Sequence, residues 1–496
     1  MLSVVRCLTS FILEGGMGML RKAVVVCLAL SLLLTASALS FAQTAAERAV
    51  EEAKKYAGQT LSVTWEAGLQ AQGIRAILPE WEEKTGVKIN LVELSFWDLH
   101  DKVITEHLAG TGAYDALAIS YAFMGDFVNA GVLEPIEKWV EQYMPPEDLE
   151  DIHPAFKEAF QYYGGKLYAL AADGDVFILY YRKDLFEDET NKKEFYEKYG
   201  YELAPPKTWK EFYEIAKFFT DKYAPEIYGA VIQRGMQSYS WFTGQFIGNG
   251  GQFFDPETMK PLINSEIGVQ TLKEMIQQNE VMPPGVIKWG FMEALAAWLD
   301  GKVAMIITWP PIGRWSEGYG VRTKQLAWVP PSKVVGKVGY APMPNGRSTL
   351  AAGFSVGVAS QSKKKELAYL FAQWLTSPET SLKLVMLPFT LVDPFRLSHY
   401  RSVIYRNAWD NAGEYLDTLY EAAKGGVLEL NIPGAREYFA ALEQAITSAF
   451  AGEDPKKALD LAAAKWEEIT DRFGREKQKE AYAAYLNLQN AIWKLE

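Results

Sequence analysis

Asp173 and Asp175 flank one glycine, and this Asp-Gly-Asp run separates two strand-like segments, Lys166–Ala172 and Val176–Tyr181. Paired carboxylates so placed can accept strong hydrogen bonds from neighbouring hydroxyls, or serve as acid and base in glycoside cleavage. The same run is also an ordinary solvated turn. A calcium loop is the weaker reading, because the later glycine and terminal glutamate of such a loop are missing. Trp309 follows an apolar strand, Val303–Thr308, and precedes Pro310-Pro311. There it is either an open indole face or a core tryptophan. An indole offers a flat apolar surface and one N–H donor, so indoles beside carboxylates suit a polyhydroxylated guest.

Other chemistries lack their residues. The four histidines, His100, His107, His153 and His399, show no metal-ligand spacing, so no metal site is expected. His100 and His107 are seven apart and read as a structural pair on one helix face. There is no Gly-x-x-x-x-Gly-Lys-Ser/Thr phosphate loop and no Gly-x-Ser-x-Gly nucleophile elbow.

The elements that must position these groups follow a pattern. Leu61–Trp65, Val87–Val92 and Tyr114–Ile119 read as strands, separated by helical stretches up to Lys84, kinked at Pro79, and from Asp98 to Leu108. Phe123–Asn129 reads as a further helix, ended by Gly131. Strands alternating with helices predict a parallel sheet covered on both faces. Ligands of such sheets sit at the carboxyl ends of the strands, which singles out Glu66, Ser95 to Asp98, and Ser120-Tyr121. Asp98 also qualifies as the cap of the helix that follows it. Thr208 and Glu211 form a capping box ahead of an apolar face of Phe212, Ile215, Ala216 and Phe219. Ser377-Pro378 and Asp454-Pro455 each open a helix, and residues 455–493 read as largely helical. Segments 316–350 and 388–402 read as loops.

At 496 residues, 49% hydrophobic and 23% charged, the chain is long enough for more than one domain and is neither disordered nor a small disulfide scaffold. Its formal charge of −12 excludes the basic footprint that nucleic acid requires. Arg21-Lys22, the apolar run Ala23–Leu34 and the small residues Ser40 and Ala42 form the plan of a secretory signal peptide cleaved before Gln43. The run falls short of the ~20 apolar residues that a membrane anchor needs. Glu14-Gly-Gly-Met17 resembles a translated ribosome-binding site, which points to Met19 as the start. Both cysteines, Cys7 and Cys27, precede the cleavage point, so the mature chain is expected to hold no disulfide and no thiol nucleophile. Residues 43–58 read as a short helical leader.

Six motifs in register resemble family 1 extracellular solute-binding proteins, the maltose-binding-protein-like receptors of carbohydrate ABC importers. After Tyr163-Gly-Gly-Lys-Leu-Tyr-Ala-Leu170 with Leu179-Tyr-Tyr-Arg-Lys-Asp-Leu-Phe186, they run in order through Pro206-Lys-Thr-Trp-Lys-Glu-Phe212, Gly250-Gly-Gln-Phe-Phe-Asp255, Gly301-Lys-Val-Ala-Met-Ile-Ile-Thr-Trp-Pro310, Gly353-Phe-Ser-Val-Gly-Val358, Ser360 to Glu379 and Asn431-Ile-Pro-Gly434. The resemblance covers residues 59–470. It implies an α/β, two-lobed periplasmic-binding-protein fold (type II), each lobe a sheet flanked by helices, joined by a hinge that the chain crosses more than once. The expected lobes are 59–172 plus 303–420, and 173–302 plus 421–496. It further implies sugar contacts from Glu66, Asp98, Tyr121, Asp173, Asp175, Trp241, Trp309, Phe354 and Arg436, with no cofactor and no catalysis. The expected partners are a sugar or polyol and the permease subunits in the membrane, the receptor itself being a monomer in the periplasm or outside the cell. The competing expectation is a secreted glycoside hydrolase. Asp393-Pro-Phe-Arg-Leu-Ser-His-Tyr400 departs from the family pattern, and its Arg396 and His399 belong either to a surface loop or to the site.

Overall fold

A computed structural model describes residues 43–495. The leader, its cleavage point and both cysteines lie outside the described residues. No helix among the described residues is long and apolar enough to cross a membrane.

Two sheets organise the chain. The first begins as the alternating pattern predicts: β1 (Thr60–Glu66) pairs in parallel with β2 (Lys88–Leu94) and β3 (Ala116–Ser120). Leu61, Val63 and Trp65 of β1 are fully buried. The sheet is not all parallel, however. A strand from far along the chain, β12 (Phe354–Ala359), runs antiparallel to β3, to β4 (Leu133–Glu134) and to β7 (Ala169–Ala171). A small hairpin of β5 (Tyr162–Tyr163) and β6 (Lys166–Leu167) precedes β7. The second sheet is antiparallel, with β8 (Ile178–Arg182) between β9 (Met305–Thr308) and β10 (Val338–Pro342). Beside it, β11 (Thr349–Leu350) pairs with β13 (Val427–Leu428).

The helices follow their sequence signals. Helix Leu69–Thr85 runs through Pro79 and stops at Gly86, which adopts the left-handed φ of 72° and donates its N–H to Glu82 O. Its Trp81 packs on Phe371 and Trp374 of helix Lys365–Thr376. Thr208, Ser377 and Asp454 each accept a backbone N–H of the helix they open. The leader segment 43–58 is no loose tail: helix Ala45–Ala53 buries Ala45, Ala49 and Ala53, four residues apart, and Ala45 O accepts Gln373 Nε2 at 2.9 Å. The C-terminal stretch is two helices, Pro455–Phe473 and Arg475–Ile492, broken at Gly474.

The chain passes between the sheets three times. Residues 172–177 lead from β7 to β8, residues 351–353 return from β11 to β12, and residues 386–411 join helix Pro378–Val385 to helix Ala412–Lys424, which packs on β10. This partition differs from the lobe ranges expected from sequence. Strands β9 and β10 belong with β8, not with the first sheet, so 303–350 sits apart from the first lobe. An apolar run such as Val303–Thr308 announces a buried strand but carries no information about its partner. Segment 316–350, read as loop, also holds β10 and β11.

The first and third passages touch. A Cβ added at Gly174 would stand 2.0 Å from Pro394 O and 3.0 Å from Phe156. Gly174→Ala is therefore expected to destabilise the protein by about 2–3 kcal/mol in urea unfolding. Gly164→Ala, with φ +56° and open space around it, should cost only about 1 kcal/mol. Equal losses from the two variants would contradict the contact.

Candidate functional site

The second passage, Ala351 to Gly353, is the point on which the candidate residues converge. Ala352 holds φ 73°, a left-handed conformation that a residue with a Cβ adopts at a cost of about 1–2 kcal/mol. Polar groups from four directions hold it there. Ser120 Oγ donates to Ala352 O at 2.6 Å, and the Tyr121 N–H is shared between Ala352 O and Gly353 O at 3.3 and 3.2 Å. Trp309 Nε1 donates to Ala351 O at 3.2 Å. Asp175 Oδ2 accepts the Gly353 N–H at 3.2 Å, and Glu429 Oε2 accepts the Ala352 N–H at 3.5 Å.

Trp309 is half-buried at the end of β9, its ring edge-on to Trp241 at 5.3 Å and to Phe177 at 4.8 Å. Trp241, by contrast, is no platform. It is 1% exposed, stacked on Phe177 at 4.5 Å, and its N–H is spent on Ile307 O. It buttresses Trp309 from behind. Phe354 and Tyr121 are likewise interior: Phe354 packs near Trp65 and Phe96, and Tyr121 faces Phe160. Asp98 lies outside this assembly. It is half-buried and pairs with Lys102 one turn on at 3.7 Å, while Ser95 caps the helix in its place. Glu66 is half-buried at the carboxyl end of β1; its side chain has no hydrogen bond or ion pair among the described residues, and burial pushes its carboxyl up to about 7. The Arg436 guanidinium sits over Trp97, 3.9 Å from the ring centre.

Asp173 faces inward. Its Oδ2 accepts Gln70 Nε2 at 2.8 Å and its Oδ1 the Asp393 N–H at 2.7 Å, while Gln70 Oε1 accepts Trp65 Nε1. Asp173, Asp175 and Asp393 each offer an oxygen within 4.8 Å of the others. Burial raises all three carboxyls, and their mutual repulsion raises Asp173 and Asp175 further. Arg314, fully buried on the helix Pro311–Ser316, is the cation beside them, 3.3 Å from Asp393. Arg396 and His399 reach neither solvent nor the Ala351–Gly353 segment. Arg396 donates to Thr376 O and Asp148 O, and His399 pairs with Ser381.

A recess of about 560 Å³ opens beside Arg436, lined by His100, Asp101, Asp126, Arg436, Lys477 and Gln478 among others. His100 is held between Asp101 at 2.7 Å and Asp126 at 2.9 Å, and Asp126 Oδ1 accepts the Gly434 N–H at 2.6 Å. Sequence reasoning passed over Glu429, Asp393 and Arg314. Glu429 did carry a signal, as the one charge in the apolar run Val427 to Ile432.

The family model for bacterial extracellular solute-binding proteins matches residues 67–381. The chain belongs to this family. A probable amino-acid ABC transporter periplasmic-binding protein of Sinorhizobium fredii is 28% identical over 329 residues, covering 66% of this chain and 70% of that one. Among solved structures, the solute-binding protein of Agrobacterium radiobacter in complex with ribitol has a TM-score of 0.69 at 23% identity, covering 83% of this chain and 99% of that one. The solute-binding protein of Agrobacterium vitis with bound D-mannitol has a TM-score of 0.67 at 25% identity, covering 84% and 99%. These members share the two-lobed fold, and they are binding proteins.

Glu429 gives the site a pH signature. It is 1% exposed, accepts Ser240 Oγ at 2.5 Å, and burial pushes its carboxyl up to about 7 from the ordinary 4.5. The folded chain holds a proton there that the unfolded chain has released. Its stabilising share is thus complete below about pH 4.5 and lost as pH rises through about 7. Glu429→Gln should lessen the fall in urea stability between pH 5 and pH 8 by about 1–3 kcal/mol. Identical pH slopes for variant and parent would contradict this.

Proposed function

We propose that this chain is the extracytoplasmic receptor of an ABC importer, acting as a monomer. It binds a sugar or polyol between its lobes and hands it unchanged to the membrane permease. The observation that carries the reading is Trp309: a half-open indole whose N–H is tied to a crossing segment and whose edges are clamped by Trp241 and Phe177. Such a ring keeps its orientation without a ligand, so stacking costs little ordering entropy.

The lobes are assigned here as 59–171 plus 354–385, and 178–350 plus 412–495. Trp309 serves the second lobe. From the first, Glu66 offers an unpaired carboxylate at the end of β1, where open sheets place their ligands. Trp97 and Arg436 flank the recess. Asp173 and Asp175 act through the protein instead, since their oxygens hold Gln70, Asp393 and Gly353. A ligand touching both lobes favours the closed arrangement by its differential affinity for it. The polyol complexes of the two Agrobacterium proteins support the ligand class, the family supports the receptor role, and the leader pattern supports export.

Calorimetry and thermal shift on the leaderless protein, against ribitol, mannitol, erythritol, maltose and amino acids, test this. A sugar or polyol should raise the melting temperature. Trp309→Ala should weaken its binding about 30- to 1000-fold, or roughly 2–4 kcal/mol, while Asp98→Ala leaves it unchanged. Affinity untouched in Trp309→Ala removes the ring from the site. Response to amino acids alone removes the polyol reading, and turnover of an aryl glycoside favours a hydrolase.

A further inference from the structure

We propose that Asp173, Asp175 and Asp393 hold a divalent, calcium-sized cation where the three passages between the sheets meet. Asp173 and Asp175 lie on the first passage and Asp393 on the third, while the second donates its Gly353 N–H to Asp175. Oxygens of the three carboxylates stand within 4.8 Å of one another. That is the width of a coordination sphere with bonds of about 2.4 Å, in the range that calcium takes and wider than magnesium's. The donors are all oxygen, which selects a hard cation over zinc or copper.

The charge and the hydrogen bonds both ask for such an ion. Asp173, Asp175 and Asp393 are 0%, 5% and 0% exposed. Both oxygens of Asp393 lie in the interior with no hydrogen-bond partner. Arg314 comes within 3.3 Å of Asp393, but its Nη2 donates to Thr390 O at 2.8 Å and its Nη1 to Val385 O at 2.9 Å. Ionised together, the three carboxylates would set three negative charges against the one guanidinium in the interior, two of them uncompensated. One doubly charged cation cancels them. The oxygens of Asp173 and Asp175 that accept N–H groups retain lone pairs for it. Loop motifs give no sign of this site because its third ligand comes from a separate passage of chain.

The test uses the complete leaderless protein, stripped with EDTA and titrated with calcium chloride. One equivalent should bind, and the melting temperature should rise by about 3 °C at calcium about 100-fold above the dissociation constant. Magnesium should give less. In Asp393→Asn the calcium response should vanish, whereas Asp98→Asn should keep it. If Asp393→Asn does not fold, an anomalous map from a terbium-soaked crystal of the unaltered chain decides, and a peak among the three carboxylates is expected. A melting temperature identical in EDTA and calcium, a calcium response surviving in folded Asp393→Asn, or a terbium peak elsewhere would each overturn the proposal.

Discussion

Acidic oxygens buried between the two sheets decide how the passages of chain lie against one another. Asp173 fixes the third passage through the Asp393 N–H, and Asp175 fixes the second through the Gly353 N–H. Gln70 carries the link on to Trp65 in the first sheet. A hinge built this way is not a tether of flexible residues. It is a packed, hydrogen-bonded junction in which Gly174 presses on Pro394 and Ala352 is held at a positive φ. The conformational strain at Ala352 is offset by hydrogen bonds from five residues to the Ala351–Gly353 segment, and those bonds orient what surrounds it.

This separates two tasks that the residue types alone confuse. Carboxylates can serve a ligand or the protein, and burial sorts them. Asp173 and Asp175 are turned into the junction, while Glu66 stands at a strand end with no protein partner. Tryptophans divide in the same way. Trp241 has its face on Phe177 and its N–H on a backbone carbonyl and is buried, whereas Trp309 remains partly exposed. The orientation of Trp309 is thus held by Trp241, Phe177 and the Ala351 carbonyl.

Much of the fold was legible because its signals are local. Alternation in Leu61–Trp65, the glycine stop at Gly86, and the caps at Thr208, Ser377 and Asp454 each depend on a few neighbouring residues. Pairing was not legible. Nothing in Val303–Thr308 says that it joins Ile178–Arg182, and nothing in Phe354–Ala359 says that it runs antiparallel to β3. The segment Asp393 to Tyr400 read as an oddity because its polar residues answer partners distant in sequence: Arg396 meets the carbonyls of Thr376 and Asp148, and Asp393 meets Asp173. Positions at the junction were found through their family motif, but whether a given side chain faces inward depends on tertiary contacts that the motif does not encode.

The antiparallel insertion of β12 governs the order of assembly. Strand β3 finds its second neighbour only after all three strands of the second sheet have been synthesised, because Phe354 pairs back to Ser120. Until then β3 presents a bare edge, and closing so long an excursion of chain is entropically slow. A polypeptide with this topology leaves its first sheet unfinished until Phe354–Ala359 has emerged, so its longest-range pairing is also among its latest.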